Sequence, residues 1–275
     1  MSKFLLYFLL LLMPFTISCK KKHHKKNEYP WQQQPTNVTY VKKLQLKLIR
    51  QFPHKGDRNY TQGLAFFQGF LYESTGLEGQ SSLKKIDVNN GNIVMQKNIN
   101  DYFAEGITIL NGYITQISWK NMKTFAFEIN DFKEKSINFT YNTEGWGLTD
   151  NGTQFIMSDG SDKIYFRNTA TFNVEKEINV NYEGNPVVYL NELEFTANKI
   201  YANVYGSPMI YSIDPSNGNV IEAIDCSSII CAQISKDNPE NVLNGIAYNA
   251  ISKTFYLTGK RCPVIYEVVF EAQSL

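Results

Sequence analysis

Gln62-Gly63-Leu64, Glu105-Gly106-Ile107, Glu144-Gly145-Trp146, Asn191-Glu192-Leu193 and Asn244-Gly245-Ile246 decide the reading of this chain. Each sets a hydrogen-bonding side chain ahead of an apolar run, and in four of the five a glycine stands between them. Their first residues are separated by 43, 39, 47 and 53 positions. A strand-rich repeat of roughly 40–50 residues is the pattern of a β-propeller with one repeat per blade. Five copies therefore predict an all-β, five-bladed β-propeller. The innermost strand of each blade lines a central channel, so the same position in every repeat brings five polar groups together.

The flanking sequence agrees. Leu44, Leu46 and Leu48 alternate with Gln45 and Lys47, a period-two strand ahead of the first repeat. The chain also ends on a strand, Val264 to Phe270. Residues 44–50 are expected to complete the last blade and close the ring, which removes two exposed edges. Turn signals recur at Asn89-Asn90-Gly91-Asn92, Leu110-Asn111-Gly112-Tyr113, Asp150-Asn151-Gly152 and Asp214-Pro215-Ser216-Asn217-Gly218. No low-complexity linker divides the body, and residues 41–275 read as a single propeller domain.

Composition supports this and excludes some functions. The chain has 275 residues, 43% of them apolar, with 17 Tyr and 18 Phe favouring strands. Six of its 27 Lys and Arg lie in residues 1–26, which hold no acid, so the remainder carries 21 basic against 26 acidic side chains. A mildly acidic body argues against nucleic acid as a partner. Lys3 and the apolar run Phe4–Phe15 read as a signal peptide over residues 1–18, too short to span a bilayer. Thr16-Ile17-Ser18-Cys19 loosely matches a lipoprotein signal, which would put a lipid on Cys19 and leave that as the one membrane contact. Residues 19–40 form a basic polar tether. The expected location is secreted or extracytoplasmic, where a disulfide from Cys226 or Cys231 to Cys262 competes with three free thiols.

The chemistry-bearing residues are Gln62, Glu105, Glu144, Asn191 and Asn244 at the repeat positions, with Trp119, Trp146 and Lys260 nearby. His54, the sole histidine of the body, precedes the first repeat, which disfavours a nucleophilic triad or a histidine-held zinc. Any proton transfer falls to a carboxylate or a lysine. Glu144 and Asn244 read more simply as structural hydrogen-bonders, and Asp159 and Asp162 as turn residues. Lys260, taken alone, reads as a surface lysine.

Eight motifs in order carry a resemblance: Tyr60-Thr61-Gln62-Gly63-Leu64, Glu73-Ser74-Thr75-Gly76-Leu77, Phe103-Ala104-Glu105-Gly106, Gly145-Trp146-Gly147-Leu148, Ser158-Asp159-Gly160-Ser161, Leu190-Asn191-Glu192-Leu193-Glu194, Leu243-Asn244-Gly245-Ile246-Ala247 and Thr258-Gly259-Lys260. Together, over about residues 48–270, they resemble the plant-type glutaminyl-peptide cyclotransferases. The resemblance implies conversion of N-terminal glutamine in peptides and proteins to pyroglutamate with release of ammonia. It implies catalytic roles for Glu105, Lys260 and Asn191. It also implies substrate-binding roles for Tyr60, Gln62, Phe103, Trp119, Trp146 and Tyr205. Tyr60 stands where phenylalanine is usual, Tyr205 and Cys262 where the family has tryptophan. No cofactor or metal and a monomeric state are expected.

The reaction needs the substrate's α-amine to attack its own γ-carboxamide. That amine, with a pKa of about 7.7–8, has a usable neutral fraction near a pH of about 7.5. An ordinary glutamate is a poor proton donor, but Phe103, Trp119 and Trp146 around Glu105 would desolvate it and raise its pKa. Two alternatives use the same channel. One is a non-catalytic secreted propeller that binds peptides or glycans. The other is a calcium-dependent lactonase-like propeller built on Glu105, Glu144 and Asn191.

Overall fold

Period-two runs become strands along the whole chain. The computed structural model describes residues 40–229, 231 and 238–272, and the expected signal peptide and most of the tether, with Cys19, lie outside them. The described residues are all-β, without an α-helix. The run at Leu44 lies in a strand longer than expected, Lys42–Pro53. Leu44 is buried, but a bulge at Ile49 breaks the alternation and leaves Leu48 half exposed.

Three antiparallel sheets have four strands each. The first is Thr61–Phe67, Phe70–Thr75, Ser81–Asp87 and Ile93–Ile99. The second is Ala104–Leu110, Tyr113–Ser118, Thr124–Glu128 and Glu134–Lys135. The third is Leu148–Asp150, Gln154–Ser158, Lys163–Asn168 and Val174–Asn179. A larger sheet runs Leu190–Thr196, Lys199–Val204, Met209–Ile213, Val220–Asp225, then Lys42–Pro53, Val264–Ala272, Thr254–Gly259 and Leu243–Asn249. Lys42–Pro53 joins its halves, parallel to Val220–Asp225 and antiparallel to Val264–Ala272. The N-terminal strand thus pairs with the C-terminal one, as its alternation suggested. At Asn111-Gly112 both turn residues have positive φ, 56° and 83°, which matches the twist of a two-residue hairpin.

The first strands of these units, Thr61–Phe67, Ala104–Leu110, Leu148–Asp150, Leu190–Thr196 and Leu243–Asn249, each pack on the next, and the last packs on the first. This propeller-like ring is tight at its axis. A Cβ on Gly63 would fall 2.6 Å from Ile107 N, one on Gly106 would meet Leu148 N, and one on Gly147 would meet Asn191 O. Glu192 stands where the other repeats have glycine. Its buried carboxylate accepts from Leu64 N at 3.1 Å and Ile246 N at 2.7 Å, tying two inner strands together.

The third repeat differs from the expected register on Glu144-Gly145-Trp146: Leu148 pairs with Met157, and Gly147 holds the crowded glycine position. The equivalent segment is Trp146-Gly147-Leu148. An aromatic residue stands where the other repeats have a polar one, and Gly145 two positions earlier mimics the pattern. Apolar clusters form the core. Leu44, Tyr201, Ile224, Phe255 and Val268 form one within the eight-stranded sheet, drawing on both of its halves, and Tyr72, Leu83, Ile107 and Phe127 form another between the first two four-stranded sheets.

His54 is buried. Its Nε2 lies 3.0 Å from Glu73 Oε1, and Lys84 Nζ lies 3.2 Å from Glu73 Oε2, all three side chains being fully buried. Thr61 Oγ1 donates to Glu73 Oε1 at 2.6 Å. Burial opposes ionisation of Glu73, but the charges of His54 and Lys84 and the Thr61 hydrogen bond outweigh it and lower its pKa to about 2. This cluster fixes Thr61 between Tyr60 and Gln62. Of the cysteines, Cys231 pairs with Cys262 and Cys226 is a buried free thiol.

Candidate active site

Within each unit the first and second strands are antiparallel. The start of one therefore lies beside the end of the other. Tyr60 and Gln62, Phe103 and Glu105, Trp146 and Asn191 sit at or just before the starts of first strands. Trp119, Tyr205 and Lys260 directly follow the ends of second strands. All nine expected site residues consequently reach one end of the ring, where they line a cavity of about 300 Å³. Residues separated by as much as 200 positions meet because one strand geometry is repeated around an axis.

Backbone bonds lace this mouth together. Tyr60 and Lys260 form an antiparallel bridge. Trp119 N donates to Phe103 O, Gly145 N to Trp119 O, and Gly106 N to Trp146 O. Side chains make a second ring. Tyr60 meets Phe103 edge-on with centroids 6.3 Å apart, Phe103 meets Trp119 at 5.4 Å, and Trp146 meets Tyr205 edge-on at 6.2 Å. Lys260 Nζ closes one gap, 5.0 Å from the Tyr60 ring and 4.8 Å from the Tyr205 ring. Glu144 closes the other, its Oε2 accepting from Trp119 Nε1 at 2.8 Å and Trp146 Nε1 at 3.0 Å. Tyr205 thus keeps an aromatic wall.

Gln62, Glu105 and Asn191 form the floor, all buried. Asn244 lies behind it, donating through Nδ2 to Gln62 Oε1 at 3.1 Å, and Gln62 Nε2 donates to Glu105 Oε1 at 3.2 Å. Burial, reinforced by the Glu144 charge and opposed by Lys260, pushes the Glu105 carboxyl well above the usual carboxylate range. Burial lowers the Lys260 ammonium, opposed by Glu105 and Glu240. Asn191 Oδ1 is buried without a hydrogen-bond partner.

Leu77 and Glu240 also line the cavity and were missed by the sequence reading. Leu77 ends one of the quoted motifs, whereas Glu240 sits in an irregular segment with no pattern to mark it. Asp159 accepts from Ser161 N and Oγ, the turn role expected of it. Among the described residues no three His, Cys, Asp or Glu side chains are grouped to hold a metal. A buried carboxyl with a raised pKa and a buried amine, inside a cup of aromatic rings, can relay a proton and stabilise an oxyanion on a small amide.

Fold and site together define an all-β, propeller-like enzyme of the acyl-transfer class. Residues 16–270 match the glutamine cyclotransferase family. A glutaminyl-peptide cyclotransferase of Arabidopsis thaliana is 32% identical over 233 residues, 84% of this chain and 72% of that protein. The crystal structure of Myxococcus xanthus glutaminyl cyclase aligns with a TM-score of 0.79 and 31% identity, covering 86% of this chain and 100% of that one. The chain belongs to the glutamine cyclotransferase family.

Proposed function

We propose that this protein is a glutaminyl-peptide cyclotransferase, acting on peptides and proteins that begin with glutamine. The observation that carries this is the meeting of Glu105, Lys260 and Asn191 inside one aromatic cup. The substrate side chain enters between the rings, which hold it curled with its α-amine against its Cδ. The neutral amine attacks Cδ. The N–Cδ bond forms, and the carbonyl electrons move onto oxygen, where Lys260 supplies a positive charge. Glu105, held neutral by its surroundings, donates its proton to the departing amide nitrogen and takes one back from the former amine. The Cδ–N bond then breaks, and pyroglutamyl peptide and ammonia leave. In this reading Asn191 orients the bound substrate, and Gln62, which donates to Glu105 Oε1, keeps Glu105 in position.

We read the scaffold as a five-bladed propeller in which the eight-stranded sheet counts as two blades. The closed succession of five first strands supports this. The Cys231–Cys262 disulfide and the apolar N-terminal run support an extracytoplasmic location, with residues 1–18 as signal peptide and Cys19 as the lipid site of an anchored form. A monomer suffices, since one chain supplies the whole cup. The test is incubation of the protein with a glutamine-initiated peptide. Loss of one ammonia from the peptide by mass spectrometry is expected, while saturable binding without turnover would favour a peptide- or glycan-binding propeller.

A further inference from the structure

We infer that Glu144 is a positioning residue, whose carboxylate clamps the two tryptophan walls and sets the width of the slot between them. This rests on the cup being the glutamine site. The walls come from different sheets: Trp119 follows Tyr113–Ser118 and Trp146 precedes Leu148–Asp150. Trp119 packs on Phe103 and Trp146 on Tyr205, so each ring is braced on its outer side. The side-chain link across the gap is Glu144, and a single oxygen, Oε2, takes both indole N–H groups. Hydrogen bonds to a charged acceptor are shorter and stronger than neutral ones, and these two share a fixed point. Glu144-Gly145 directly precedes Trp146-Gly147-Leu148. Gly145 is confined there: a Cβ on it would lie 2.5 Å from Tyr141 Oη and 2.7 Å from Ser118 O.

The clamp has an electrostatic consequence. The groups acting on Glu105 are Lys260, whose charge favours its ionisation, and Glu144, whose charge opposes it. Tyr60 and Tyr141 also interact with it, and Glu240 acts on Lys260. Glu144 thus helps keep Glu105 protonated while holding the walls.

The test compares Glu144→Gln with Glu144→Leu in the full chain. Glutamine keeps one acceptor oxygen for both indoles but no charge, and leucine keeps neither. For Glu144→Leu, KM for a glutamine-initiated peptide is expected to rise about tenfold, with kcat less affected. The 15N-indole signals of Trp119 and Trp146 should move toward those of N–H groups without a partner. For Glu144→Gln, KM should stay within about threefold, the indole signals should move less, and the alkaline limb of the pH–kcat profile should shift to lower pH. A folded Glu144→Leu with unchanged KM and unmoved indole signals would overturn the proposal. If that variant does not fold, a Glu144→Gln protein with the wild-type pH limb and indole signals overturns it. Absence of turnover by the wild type would instead remove the functional reading, and the indole signals would still decide the clamp.

Discussion

Gln62 donates to Glu105 Oε1 at 3.2 Å while Asn244 grips the other end of its amide at 3.1 Å. Three side chains from three different first strands thereby form one chain of hydrogen bonds, with the titrating group at its tip. Glu105→Gln keeps this geometry and removes the proton that is transferred. Its kcat/KM should fall by roughly 10²–10⁴ with the melting temperature little changed, as measured by ammonia release and calorimetry. Retention of full activity would remove Glu105 from the chemistry.

Lys260 reaches the cavity between Tyr60 and Tyr205 with its ammonium lowered by burial. Lys260→Met should cost about 10²–10³ in kcat, the scale of one lost oxyanion donor. Activity should decline on the alkaline side, because Glu105 and Lys260 must both hold their protons. Lys260 deprotonates below its ordinary range, and Glu105 deprotonates above its own. An initial-rate profile across pH checks this.

Stability should fall in acid because of Glu73. Its pKa is lowered to about 2 from 4.5, so its contribution is complete above 4.5 and is lost as pH drops toward 2. Glu73→Gln would leave Lys84 buried without its counter-charge, a loss of about 3–5 kcal/mol. The variant's melting temperature should also depend less on pH over that window. Equal acid sensitivity in wild type and variant would contradict this.

Glu192 should act in the opposite direction. Burial, only partly offset by the N–H groups of Leu64 and Ile246, raises its pKa well above 4.5, so its contribution is full below that value and is lost as pH climbs through the raised one. Glu192→Gln can accept from only one of those N–H groups, and the orphaned donor should cost about 1–3 kcal/mol in denaturant unfolding at neutral pH. No change in stability would mean that the axial carboxylate does not brace the strands.

The all-β class, the N-terminal strand paired with the C-terminal one, and the gathering of nine named residues around one cavity were legible in the chain. Each depends on a local signal that survives folding: alternation at Leu44 and Leu46, turn residues such as Asn111-Gly112, and motifs in a fixed order. Glu144 was misplaced by two residues, since Gly145 and Gly147 offer equivalent registers to a pattern and only pairing of Leu148 with Met157 separates them. The choice of Cys231 over Cys226 as partner of Cys262 was open for a similar reason, because spacing does not report which thiol faces the last sheet.

Residue order by itself determined which elements form and which end of each strand carries the reactive groups, because backbone preference and apolar period act over a few residues. Tertiary structure alone decided that a single oxygen of Glu144 holds two indoles, that Glu73 lies between His54 and Lys84 in a dry interior, and that burial raises the Glu105 carboxyl above its ordinary range. Those properties depend on distances of about 3 Å between groups far apart in the chain and on the water excluded around them.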